Sequence, residues 1–459
     1  MMKDMTLENI AKACNGVYHG PDFKRQEAVC GITIDSRKTE PGWLFVATRG
    51  ERADGHSFVP QVMEKGALCV LVEEVPDIEC PYILVRDSFQ ALKDIAAFYR
   101  SVLSCKVIGI TGSVGKTSTK EMIAGVLSAK YRVLKTDGNF NNEVGVPLTL
   151  FRIRDEHEVA VVEMGISDFG EMRRLTAMVK PDICVITNIG ECHLENLGDR
   201  DGVLKAKTEI FEGMSEEGEV VLNGQDDKLV AIREVRGKRP HFFAGEECYA
   251  ENIVSKGLLG TECVICRKDM KIKADIRVQG VHQVKNAMAA VCVAQLMGLT
   301  AEEIENGIRS VTALPGRGKI IEGGRFTLID ETYNANPVSM KATLDALAQT
   351  KGRRVAVLGD MFELGTDSDA LHADVGSYAK EKGIDVLICI GENAHHIYEG
   401  AQMDGASVSE ENQMKLLNFY FSTKEEFLAK KEEILRTGDT ILIKASHGMH
   451  FETLKEELV

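Results

Sequence analysis

The sequence predicts an α/β protein of three domains, and three observations carry that reading. The chain of 459 residues is too long for one hydrophobic core at roughly 100–200 residues per domain. From about residue 106, apolar runs alternate with helical stretches at the spacing of a mostly parallel, doubly wound sheet. After LPGRGKIIEGG (314–324), which supplies Pro and Gly, a fresh alternation starts. The expected divisions are a small N-terminal α/β domain over 1–103, a central domain over 104–313 and a C-terminal α/β domain over 314–459.

Each element follows from its own residues. In the first division, GITIDS and WLFVAT are short strands and ALKDIAAFYRSVL is an apolar helix. VIGIT (107–111) is a buried strand, followed by a Gly-rich turn and a helix from about Thr117 to Ser128. VAVVEM (159–164), DICVITNI (182–189) and EVVLN (219–223) continue the central sheet, and HQVKNAMAAVCVAQLMGL (282–299) is helical. RFTLID (325–330), RVAVLGD (354–360), DVLICIG (385–391) and TILIKAS (440–446) are strands of the last domain, with a helix over 338–349.

Composition narrows the function classes. With 44% hydrophobic and 27% charged residues the chain is ordinary globular protein. A formal charge of −15 opposes general affinity for nucleic acid or anionic membrane. The charged N-terminus MMKDMTLENIAKACNG lacks a signal-peptide core, and no window reaches the length of a membrane span, so a cytoplasmic location without membrane insertion is expected. The 12 cysteines are scattered, and reduced thiols are expected. The lone CxxC, Cys263 and Cys266, reads as two thiols on a strand or turn rather than as a zinc site. Adjacent His395 and His396 read as a loop tip rather than metal ligands.

The chemistry concentrates at Gly112-Ser113-Val114-Gly115-Lys116-Thr117, followed by Ser118, between a strand and a helix. Glycines let backbone N–H groups converge on phosphate oxygens, the helix N-terminus adds positive charge, Lys116 supplies a full one, and Thr117 reaches Mg²⁺. Ile110 stands where the usual phosphate loop has another Gly, so this is a shortened GxxGKT form; a structural turn also fits the residues locally. Glu163 should end its strand at the same carboxyl edge of the sheet, where ligands bind open α/β folds. His193 follows a neighbouring strand, where a structural histidine is the plainer reading. Lys207, beside Lys205, reads locally as a solvated lysine, and Asn286 as a helix-surface amide.

The shortened loop in TGSVGKTSTKE resembles that of the Mur ligase family. The likeness extends through DSRKTEPGWLFVATRGERADGH (35–56), NFNNEVGVPLTL (139–150), EMGISDFGEM (163–172), ITNIGECHLENLG (186–198), AKTEIF (206–211) and IDETYNANP (329–337). The resemblance implies a central P-loop-type ATPase domain and a Rossmann-like C-terminal domain that closes over ATP and binds the incoming substrate. It also implies an ADP-forming ligase of cell-wall precursor synthesis, most like members that join D-alanyl-D-alanine to UDP-N-acetylmuramoyl-tripeptide through an acyl phosphate. It assigns one Mg²⁺ to Thr117 and Glu163, and a second to His193 and a carbamylated Lys207. Asn286, Arg317 and Asp330 would hold ATP near His282, with Tyr333 and Asn334 flanking it. Ser36 and Arg37, beside Asp35 with Gly55 and His56 downstream, suit a uridine or diphosphate, and a turn with an exposed Arg fits them equally; Asn139, Asn141 and Asn142 would contact the same precursor, and an Asn-rich turn also fits them. A monomer is expected. At KASHGMHFE, His447 departs from an arginine in similar ligases, so neither it nor Lys444 receives a role. Rival readings are a third-residue-adding Mur ligase, a folylpolyglutamate synthase, and a non-catalytic ATP-binding switch or scaffold.

Overall fold

Four sheets organise the chain. The computed structural model describes residues 1–50, 53–403 and 416–458. The first sheet contains β1 (Val17–His19), β2 (Ile32–Thr33), β3 (Leu44–Val46), β4 (Cys69–Val72) and β5 (Tyr82–Leu84), in the order β1-β5-β4-β3-β2. Only β1 runs antiparallel to its neighbour.

The second sheet is wholly parallel: β6 (Lys106–Thr111), β7 (Val133–Lys135), β8 (Val159–Glu163), β9 (Ile183–Ile186), β10 (Glu219–Asn223) and β11 (His241–Phe243), ordered β11-β10-β9-β6-β8-β7. All five residues of β8 are buried, the pattern of a strand covered on both faces. The earliest strand, β6, lies between β8 and β9, so chain direction across the sheet reverses there. This is the topological switch point, where the carboxyl ends of neighbouring strands leave a crevice.

A third, antiparallel sheet of β12 (Cys248–Ser255), β13 (Thr261–Arg267) and β14 (Met270–Ile276) is an element the periodicity reading did not contain. Cys263 and Cys266 sit on β13. Three residues apart on a strand, they face opposite ways, and burial pushes the Cys263 thiol up to about 11. No disulfide joins any of the twelve cysteines.

The fourth sheet holds β15 (Lys319–Glu322), β16 (Thr327–Glu331), β17 (Arg354–Gly359), β18 (Val386–Ile390), β19 (Leu417–Phe421) and β20 (Thr440–Lys444), ordered β15-β16-β20-β17-β18-β19. Its two faces build separate cores, one through Val355, Val357, Ile441 and Ile443 and the other through Ala356, Leu358 and Leu442, as side-chain alternation requires. His395 and His396 are on the helix Ala394–Gln402, not on a loop tip. Ala394 opens that helix by donating its N–H to the Asp360 carboxylate at 2.7 Å, which extends helical order through the histidine pair.

The chain divides into two compact units. One comprises Met1–Gly190, Asp199–Gly245 and Cys292–Leu299; the other comprises Glu191–Gly198, Glu246–Val291 and Thr300–Val459. Within the first, the helix Ser88–Val102 joins the two sheets: Tyr99 donates its hydroxyl to Ile153 O at 2.5 Å, and Arg100 donates to Val179 O at 2.8 Å. No helix among the described residues is long and apolar enough to cross a membrane.

Candidate active site

The phosphate-type loop leaves the carboxyl end of β6 and enters the helix Lys116–Leu127. Gly112 and Gly115 have φ of +148° and +83°, values at which a β-carbon is strained. A Cβ on Gly112 would also lie 1.9 Å from Thr187 Oγ1. The segment after β9 braces the loop: Ser113 N donates to Asn188 O at 3.1 Å, Val114 N to Asn188 Oδ1 at 2.8 Å, and Thr187 Oγ1 to Val114 O at 2.7 Å. Lys116 Nζ folds back onto Gly112 O at 2.7 Å. Ser118 follows in the first helical turn.

Thr117 and Glu163 meet below this loop. The Thr117 hydroxyl donates to Glu163 Oε2 at 2.8 Å, and Asn141 Nδ2 donates to Glu163 Oε1 at 2.8 Å. Asn141, expected toward a precursor, helps orient the carboxylate through this bond. A hydroxyl and a carboxylate form a hard oxygen pair of the kind Mg²⁺ prefers, so these residues fit that ion. Lys207, on the helix Arg200–Thr208, is 1% exposed, whereas Lys205 is exposed. The solvated-lysine reading therefore fails for Lys207 and holds for Lys205.

The loops expected near a precursor also belong to the first unit. Arg37 forks onto the Asp35 carboxylate through two hydrogen bonds of 2.9 Å, and its side chain is 86% exposed. Ser36 is buried, and its carbonyl accepts from Lys65 Nζ at 2.7 Å. Lys38 lies 5.9 Å above the Phe140 ring, which brings this loop to the segment 139–142. Asn139 is exposed, while Asn142 Oδ1 accepts from Gly145 N at 2.8 Å and starts the helix Gly145–Leu150. His56 Nε2 accepts from Glu73 N at 2.9 Å, and Gly55 packs so closely on Thr48 that a Cβ would lie 2.8 Å from its backbone; both shape the fold.

The second unit carries the remaining candidates. Its turn Gly316-Arg317-Gly318 is held by Asp330, whose Oδ2 accepts from Gly316 N at 3.0 Å and Lys455 Nζ at 3.3 Å, and whose Oδ1 accepts from Thr332 Oγ1 at 2.7 Å. Asp330, 0% exposed, thus acts on the turn that presents Arg317. The Arg317 guanidinium lies 3.6 Å from the Tyr333 ring centroid, and the His447 ring is 5.7 Å from the same ring. Lys444 Nζ donates to Glu331 Oε2 at 3.2 Å and Asn334 O at 2.9 Å. On the helix Gln283–Leu296, Asn286 donates to Gln283 Oε1 at 2.7 Å, and exposed His282 immediately precedes it. His193, φ +52°, belongs to this unit, with Nδ1 3.5 Å from Glu363 Oε2. Sequence reasoning missed Lys120, a buried cation beside Glu163. Its spacing from Lys116 and Thr117 was the available signal.

A wholly parallel sheet bearing this loop at its switch point defines a nucleotide-binding α/β architecture. The model of the Mur ligase family, catalytic domain, matches residues 28–106, that of the Mur ligase middle domain 110–294, and that of the Mur ligase, glutamate ligase domain 316–447. The chain belongs to the Mur ligase family. It is 36% identical to the UDP-N-acetylmuramoyl-tripeptide–D-alanyl-D-alanine ligase of Bacillus subtilis (strain 168), over 99% of this chain and 98% of that protein. A crystal structure of MurF from Acinetobacter baumannii superposes with TM-score 0.87 at 33% identity, covering 99% of this chain and 98% of that one. MurF ligase from Thermotoga maritima, in complex with ADP, gives TM-score 0.78 at 27% identity, with 93% and 96% covered.

Proposed function

We propose that this chain joins D-alanyl-D-alanine to UDP-N-acetylmuramoyl-tripeptide with conversion of ATP to ADP and phosphate. The full-length likeness to ligases of that name carries the substrate assignment. The braced loop with Thr117 against Glu163 supports the nucleotide chemistry independently.

Condensing a carboxylate with an amine in water is uphill until a carboxylate oxygen becomes a good leaving group. Phosphorylation of the tripeptide's terminal carboxylate by ATP provides one; the dipeptide amine then attacks the acyl carbon, and phosphate departs. Gly112, Ser113, Val114 and Gly115 offer backbone N–H groups to the phosphates, with Ser118 close behind, and Lys116 leaves its loop carbonyls for the transferring group. Mg²⁺, when bound, neutralises charge on the phosphate oxygens. Thr117 and Glu163 would hold one ion; His193 and, once carbamylated, Lys207 are each proposed as a metal ligand. Arg317, Tyr333, Asn334, Asn286 and Asp330 are proposed to serve the nucleotide, Asp330 by fixing the Arg317 turn. Ser36, Arg37, Asn139 and Asn142 are proposed contacts of the UDP precursor. The corresponding division of labour is residues 1–103 for the precursor, 104–313 for ATP and 314–459 for the dipeptide.

Phosphate release provides the test. It should require UDP-N-acetylmuramoyl-tripeptide and D-alanyl-D-alanine together; equal release from ATP with either omitted would overturn the assignment.

A further inference from the structure

Lys120 follows Lys116 by four residues and Thr117 by three on the same helix, so its side chain neighbours each of theirs on the helix surface. It is 1% exposed. Its ammonium donates to Thr136 O at 2.7 Å and lies 3.2 Å from Glu121 Oε1 and 3.7 Å from Glu163 Oε2. Glu163 is 2% exposed, and its backbone N–H donates to Thr136 Oγ1 at 3.0 Å. Thr136 therefore touches both members of the pair. Glu121 reaches outward to Lys135. Two lysines and two carboxylates form a chain without net charge, running from the solvent side to the oxygen pair beneath the loop.

Burying a lysine is costly unless its charge is matched. A helix packed on a sheet needs only an apolar side chain at such a position, and Met122, Ile123 and Val126 on this helix fill that need. We propose that Lys120 is a positioning residue for the metal–nucleotide site. Its ammonium holds the Glu163 carboxylate toward Thr117, so both oxygen ligands stand in place before Mg²⁺ arrives. Thr117 and Asn141 fix the direction of the carboxylate, and Lys120 matches its charge in the buried setting. This inference rests on the nucleotide chemistry proposed above.

The test is a Mn²⁺ titration of the full chain with a non-hydrolysable ATP analogue, followed by loss of the free-ion electron paramagnetic resonance signal. Lys120→Met should weaken Mn²⁺ binding at least tenfold, while Lys120→Arg, which keeps the charge, should stay within threefold of wild type. KM for the UDP precursor should change less than twofold in both. Wild-type Mn²⁺ affinity in Lys120→Met, or equal weakening in Lys120→Arg, overturns the proposal. If circular dichroism shows Lys120→Met unfolded, Lys120→Gln replaces it: the amide can still donate to Thr136 O but brings no charge to Glu163, so Mn²⁺ binding should weaken at least threefold, and unchanged affinity overturns the proposal. Failure of the ligase assignment registers separately, as wild-type phosphate release indifferent to the two substrates.

Discussion

Lys207 is buried on the helix Arg200–Thr208, 1% exposed. A side chain so placed either has its charge matched or is chemically altered, and a carbamate would turn this cation into an oxygen ligand. Lys207→Ala should therefore lose at least a hundredfold in kcat, and short carboxylic acids added to the assay should restore part of it. Unaltered turnover, or a loss that acetate and formate leave untouched, would remove the carbamate role. Residues of this kind are where sequence reading is weakest. Lys207, Lys120 and Asn141 are polar types that ordinarily face solvent, and only three-dimensional burial or a specific partner separates them from surface side chains. Gly112, Gly115 and Lys116 were legible because their types and spacing answer directly to the geometry of a phosphate.

Among elements, the helices Ser368–Glu381 and Ala394–Gln402 cross where both lack side chains. A Cβ on Gly376 would lie 1.9 Å from Ile397 O, and one on Gly400 would lie 2.0 Å from Ala373 O. Backbone cannot retreat as a flexible side chain does, so Gly400→Ala should force the helices apart and destabilise by about 1–3 kcal/mol. Urea denaturation monitored by circular dichroism would detect this, and a midpoint equal to wild type would contradict the crossing. Parallel strands such as β8 and β17 were readable because burial on both faces demands unbroken apolar runs. The sheet β12–β14 was legible only in part: CYAENIVS of β12 mixes exposed polar and apolar residues, leaving neither a continuous run nor a strict alternation, whereas MKIKADI of β14 alternates strictly and carries the signal of a half-buried strand. The brief β7 and β11 fall below the length at which period two can be recognised.

For the whole molecule, the alternation of runs revealed α/β architecture, but the allocation of residues between compact units did not follow chain order. Cys292–Leu299 belongs with the first unit and Glu191–Gly198 with the second, because packing groups segments by the surfaces they cover and not by their place in sequence. The same independence of order governs the last sheet, where β20 lies between β16 and β17. A chain ending at Arg436 would lack its central strand, leaving β16 and β17 each with an unpaired edge. Such a truncation should give insoluble protein, or a second unit cut rapidly by protease; a resistant fragment would show that the sheet closes without β20. During synthesis, the ribosome must release this strand before the C-terminal sheet can be completed. Until then β16 and β17 have no strand to pair with both of them, so the halves of this sheet meet only through a segment made after each of them.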